Sequence, residues 1–202
     1  MPHKKKFNDL FIKYRMELVP QVTKNWHKLP KEDQQSLGNV NEFFCGLHFL
    51  VGLADQAEAC LKLWENVLFK GQDIGSLAHG GYSNGESGTL RLIRMVCKAV
   101  SHRGCEESGR MISFEIYMEE KNMFRLPIYQ FLGNRFNILF INAGGVYYLF
   151  DHLVDFFDNI ELENRLLVAV YWDLKVLAYK VGCRALGLIE KLITGPLWRI
   201  MN

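Results

Sequence analysis

The stretch from Val40 to Phe69 constrains this chain most. Apolar residues recur there at Val40, Phe43, Leu47, Leu50, Ala54, Ala57, Leu61, Trp64 and Leu68. Steps of three and four place them in one stripe on a helix. No proline interrupts the run, and its glycines are Gly46 and Gly52. A helix of about thirty residues is about 45 Å long at 1.5 Å per residue. That length calls for other helices to pack along it.

The rest of the chain supplies them. Phe7, Leu10, Phe11, Tyr14 and Leu18 share a helical face that Pro20 ends, and Pro30-Lys31-Glu32-Asp33 reads as a helix start. Leu90, Ile93, Cys97 and Val100 give a helix. A second strongly apolar helix runs over about 135–157, through Phe136, Leu139, Phe140, Ala143, Val146, Tyr147, Phe150, Leu153 and Phe157. It is apolar on most sides, so it is expected to be the central buried helix. Gly144-Gly145 within it allows another helix to approach closely, or a kink. Leu162 to Leu177 and Val181 to Leu192 form two more; Thr194-Gly195-Pro196 is a stop, and Pro196 restarts the chain, with Leu197 to Asn202 as the first turn or two of a helix. The fold class expected is all-α, a multi-helix bundle around two long apolar helices at about 40–69 and 135–157. One short hairpin between 111 and 133 is the alternative to a helix there.

Glycines 71, 75, 80, 81, 85 and 88 mark a flexible Gly/Ser-rich loop over 71–88. It divides an N-terminal helical segment, 1–70, from a helical region, 89–202. The two are expected to pack as one unit.

Composition narrows the function classes. Of 202 residues, 49% are hydrophobic, enough for a buried core, and the net charge of +2 is too mild to argue for nucleic acid alone. The charge is uneven, however. Residues 1–31 hold eight Lys/Arg, among them Lys4, Lys5, Lys6, Lys13 and Arg15, against Asp9 and Glu17. These are solvated, or they form a basic arm that touches phosphate. Five widely spaced cysteines behind a Lys-rich start point to reduced thiols in an intracellular protein, of nucleus or cytoplasm. The longest apolar run, Ile138 to Phe150, contains Asn142 and is too short for a membrane span.

Several residues invite a chemical reading. Cys45 and His48 lie three apart on one helical face, and Cys97, His102 and Cys105 offer two further ligands to a structural zinc. Cysteine packs equally well as a small hydrophobe, and a core Cys/His pair is the plainer reading. Gly80 to Ser87 approaches a phosphate-binding loop but carries Glu86 where that motif needs lysine. Asp151, Asp155 and Asp158 share a helix face, a solvated row or a hard-cation site. Arg135, one residue beyond the helix-capping Asn134, can hold a carboxylate or phosphate bidentately.

Cys45-x-x-His48 before an apolar helix resembles the C-x-x-H motif of cut-and-paste DNA transposases of the hAT type, which have an RNase H-like core. Gly133-Asn134-Arg135-Phe136-Asn137-Ile138 is similar to that family's Thr-Arg-Trp-Asn-Ser segment, with Phe136 at the aromatic position. The run from Asn164 through Gly187-Leu188-Ile189 to Trp198 is similar to helices of the family's all-α insertion domain. Such enzymes cut DNA with three carboxylates holding two divalent metals. No strand-like segment with an acid precedes Cys45, and the chain stops where the inserted domain would continue. The resemblance therefore implies an internal fragment without catalytic residues, a bound metal or a cofactor. Cys45, His48 and Arg135 are then structural or accessory. The expected function is non-enzymatic, with self-association or DNA as partner and no membrane or small-molecule substrate.

Overall fold

The computed structural model describes residues 26–32, 46–101, 109–131 and 137–201. The chain divides into two units, Met1–Phe44 and Cys45–Asn202. In the first, Trp26–Lys28 forms a 3-10 turn, and Lys31 and Glu32 are helical. The second is a bundle of helices, and the described residues contain no strand.

Helix α1, Gly46–Phe69, realises the described part of the leading stripe. Lys70 and Gly71, both in the left-handed region, end it. A 3-10 turn, Gly75–His79, leads into α2, Gly88–Val100. Ser87 caps α2 by accepting from the Leu90 N–H at 3.1 Å.

Helix α3, Met111–Glu120, replaces the hairpin considered for 111–133. Phe114 and Met118, four apart, are buried, and Phe114 meets Phe156 edge-on at 5.0 Å. That helical spacing carries one face into the core. Asn122 at φ +59° then ends α3, and the Met123 N–H donates back to the Met118 carbonyl at 2.9 Å. The extended segment that follows is held by Asn142, whose side-chain oxygen accepts from the Tyr129 N–H at 2.7 Å.

The apolar helix expected over 135–157 is two helices, α4, Ile138–Tyr148, and α5, Phe150–Asp158. Leu149 steps between them, so that α4 packs mainly on one neighbour and α5 on others. Those neighbours are α6, Arg165–Leu174, and α7, Leu177–Ile189. Helix α4 lies along α7, whereas α5 lies on α6 and α3. Close approach through the paired glycines is found. A Cβ on Gly187 would come within 2.8 Å of Gly144 Cα, and one on Gly145 within 1.8 Å of the Pro127 carbonyl oxygen.

Thr194-Gly195-Pro196 does not stop the chain. A π-turn, Glu190–Thr194, widens the helix, and α8, Gly195–Met201, continues from it. Pro196 then falls in the first turn of α8, where its missing N–H costs nothing.

The expected 135–157 segment is largely buried over its described part, and α2 is a second hub of the bundle beside it. Helix α2 packs against α1, α3, α4, α6 and α7. It reads as less apolar because Thr89 and Arg91 lie on it, yet both are fully buried. Their partners make that burial tolerable.

Candidate functional site

Two arrangements meet at α1. Its inward face is partly acidic. Glu58 and Glu65 are buried there among Leu50, Ala54 and Leu61. Glu58 accepts from the Ser87 N–H and the Ser87 hydroxyl, both at 2.6 Å. Glu65 accepts from the Gly88 N–H at 2.6 Å, the Thr89 N–H at 2.9 Å and the Thr89 hydroxyl at 2.7 Å. The opening N–H groups of a helix lack intrahelical partners and sit at the positive end of its dipole. The two glutamates and the Ser87 cap satisfy them at α2.

Deeper in, Arg91 grips Asp173 of α6 with two bonds, Nε at 2.8 Å and Nη2 at 2.9 Å. The side chains are 1% and 0% exposed. Asp173 also accepts from the Ser76 N–H at 2.7 Å, which fastens the 75–79 turn onto α6. Tyr179 of α7 accepts from Arg91 at 3.3 Å. Burial opposes the charge of Arg91, but its bonds and attraction to Asp173 prevail and hold its proton more tightly than usual. Burial raises the Tyr179 phenol, so it stays neutral.

This network accounts for the near-phosphate motif at 80–87. The donors that a phosphate would take are occupied by the chain's own carboxylates, and Glu86 pairs with Arg94 on α2.

The outward face of α1 is its opposite in character. Leu63 and Val67 are 69% and 77% exposed and form a ridge. Beside them Trp64 and Leu68 form one wall of a groove of about 610 Å³, whose other wall is Leu177, Ala178 and Val181 of α7. Phe69, Ile74, Val176 and the charged Lys175 also line it. The exposed polar residues of α1 over 50–69 are Asp55, Gln56, Lys62 and Asn66. A second groove, of about 570 Å³, runs between α3 and the 123–129 segment, but Glu115, Glu119 and Arg125 give it a charged lining.

The residues singled out by sequence fare differently. The row Asp151, Asp155 and Asp158 lies on α5 and is paired outward. Asp151 takes Lys180 at 2.6 Å, Asp158 takes Lys175 at 2.5 Å, and Asp155 takes the Tyr117 hydroxyl at 2.5 Å with Lys121 at 3.8 Å. The Tyr117 bond outweighs burial and, with Lys121 and His152, holds Asp155 below the usual carboxylate range. Among the described residues no cluster of three or more His, Cys, Asp or Glu is placed to hold a metal ion. Of the zinc candidates, Cys97 is buried in α2 near Cys183 of α7. The backbone of His48 belongs to α1. Cys45, His102, Cys105, Arg135 and the basic residues Lys4, Lys5, Lys6, Lys13 and Arg15 lie outside the described residues. Burial pushes the Cys97 thiol up to about 12 and raises Cys183 as well, so both stay protonated.

Sequence reasoning missed Glu58, Glu65, Arg91 and Asp173. The available signal was charge inside an apolar stripe, Glu58, Glu65 and Asp173 lying three or four residues from buried Leu or Ala and Arg91 between buried Leu90 and Leu92.

Comparison with protein families, curated proteins and solved structures found no match to this chain. No helix among the described residues is long and apolar enough to cross a membrane.

Proposed function

We propose that this chain is a non-enzymatic helical protein-interaction module whose docking surface is the outward face of α1 with the start of α7. One observation carries the reading. Leu63 and Val67, at 69% and 77% exposure, stand beside a groove lined by Trp64, Leu68, Leu177 and Val181. Six large apolar side chains at such exposure present on the order of 600 Å², at the upper end for a monomer and the kind of patch that marks an interface. The polar network supports this role by fixing α1 and α7 to the hub α2, so the groove walls are held in register. An intracellular setting, in nucleus or cytoplasm, accords with free thiols at Cys60, Cys97 and Cys183.

The test is uptake of an environment-sensitive apolar dye by the native protein. Fluorescence is expected to fall several-fold in the double variant Leu63→Glu, Val67→Glu with the helical circular dichroism unchanged. Equal dye uptake by both proteins, at a dilution where sedimentation shows each to be a monomer, would refute the surface.

A second reading, a transposase-derived helical fragment, is supported by the order of the Cys45-x-x-His48 and Gly133–Ile138 motifs and by helices from Gly46 to Met201. It expects no nicking of DNA with magnesium or manganese. Metal-dependent nicking lost on substitution of a single acid would reverse that expectation. Binding of DNA through Lys4, Lys5, Lys6, Lys13 and Arg15 expects affinity that falls steeply with salt. A flat salt response would remove it.

A further inference from the structure

We infer that the occupant of the α1–α7 surface is a second copy of this chain, docked about a two-fold axis. The Leu63–Val67 ridge of each copy enters the Trp64, Leu68, Leu177 and Val181 groove of the other. This rests on the interaction-surface reading and names its partner.

The shape of the patch favours a like copy. A two-fold joint is isologous, so one patch must carry both the projecting part and the part that receives it. This patch does. Leu63 and Val67, four apart, project as a ridge, and Trp64 and Leu68, also four apart, form a wall of the adjacent groove. Rows at i and i+4 interlock in the commonest helix packing. An unrelated partner needs only one of the two features, and a like copy uses both.

Charge points the same way. Both signs adjoin the groove, Lys70 and Asp73 beside its lining residues Phe69 and Ile74 in sequence, and Lys175 within the lining. A basic peptide, an acidic peptide or an anionic lipid surface would favour a rim of one sign. A mixed rim lets two identical surfaces approach without net repulsion.

Size agrees with both. An exposed apolar area on the order of 600 Å² is most of the roughly 800 Å² that each partner contributes to a stable interface. Polar rim residues supply the remainder.

The experiment is sedimentation equilibrium of the full chain at micromolar concentration, with dye uptake measured in parallel. A dimer is expected. Leu63→Glu with Val67→Glu, on the ridge, is expected to weaken it at least about tenfold. Leu177→Glu alone, on the groove wall of another helix, is expected to do the same, because each joint needs both parts. These side chains are exposed, so circular dichroism should be unchanged in every variant. A dimer that withstands both substitutions overturns the inference, since its contact lies elsewhere. A monomer that still takes up dye, losing uptake with Leu63→Glu and Val67→Glu, also overturns it but leaves the interaction surface standing. A monomer that takes up no dye overturns the inference and the surface together.

Discussion

Two sets of carboxylates in this molecule have opposite circumstances. Glu58, Glu65 and Asp173 are buried, and each accepts at least two hydrogen bonds from groups that are themselves buried. Asp151, Asp155 and Asp158 sit on α5 against flexible Lys ends and a tyrosine hydroxyl. The residue chemistry is alike, but the consequences of removal are not. An exposed carboxylate that loses its lysine returns to water. A buried one leaves N–H groups or a guanidinium with nothing to replace it. Carboxylates therefore hold the fold where the surroundings are apolar, and only decorate it where the surroundings are wet.

The largest effect expected from this contrast is at the Arg91–Asp173 pair. Asp173→Asn keeps the shape but strands a buried guanidinium and weakens the hold on Ser76. A loss of about 3–5 kcal/mol in unfolding free energy is expected, measured by urea denaturation. Replacing both partners, as Arg91→Met with Asp173→Leu, should recover much of it, because no charge is then left alone. A cost below about 1 kcal/mol for Asp173→Asn would break the contrast at its strongest point.

Glu65→Gln comes next. The neutral amide keeps one oxygen for Thr89 but turns an NH₂ group toward the Gly88 N–H, donor against donor. About 1.5–3 kcal/mol is expected, the range for hydrogen bonds to a charged group. Amide exchange at Gly88 and Thr89 should quicken while that at Leu139 and Phe140 stays slow, which separates local loss of the α2 start from general destabilisation.

Cys97 sharpens the comparison by being buried without an ionic partner. A thiol raised from 9.0 to about 12 binds its proton more tightly folded than unfolded. The native state therefore holds more protons above about pH 9, and stability falls with rising pH there. The contribution is complete below about pH 9 and is lost on approach to about pH 12. Roughly 2 kcal/mol should disappear between about pH 9 and 11 relative to a Cys97→Ala reference. A parallel pH profile in the two proteins would contradict it. At neutral pH a thiol reagent should label exposed Cys60 quickly and reach Cys97 and Cys183 only on unfolding.

The same contrast explains what the sequence made legible. Helix after helix follows from apolar spacing, because burial of one face imposes a period that hydropathy records. Of the paired glycines, read as allowing a close helix approach or a kink, Gly144 meets Gly187 of α7 and Gly145 meets the extended segment at Pro127. The second hub was not legible. Helix α2 looks middling because Arg91 and Thr89 interrupt it, and only their partners, 82 residues away for Asp173 and 24 for Glu65, make them core residues. Hydropathy sees the side chain and not its partner. The row at 151, 155 and 158 stood out for the converse reason. Regular spacing is visible in one segment, although those residues are held by lysines from α3, α7 and the α6–α7 junction. Pro196 was legible as a helix start, since its fixed φ and missing N–H suit a first turn, and it lies in the first turn of α8.

The smallest effect tests the wet side of the contrast. Asp158→Asn removes the partner of Lys175, and Asp151→Asn that of Lys180. Both lysines stay partly exposed and each lies over an aromatic ring, Tyr171 for Lys175 and Phe150 for Lys180. The ammonium is thus left with solvent and a ring face when its acid is gone. Each substitution should cost between about 0 and 1 kcal/mol. The cost should shrink further in molar salt, where the Debye length is about 3 Å. The Asp173→Asn penalty should hardly move under the same salt, because ions do not enter that site. If Asp158→Asn instead costs as much as Glu65→Gln and resists salt, the α5 row is doing more than surface pairing and the line drawn between the two sets of acids fails.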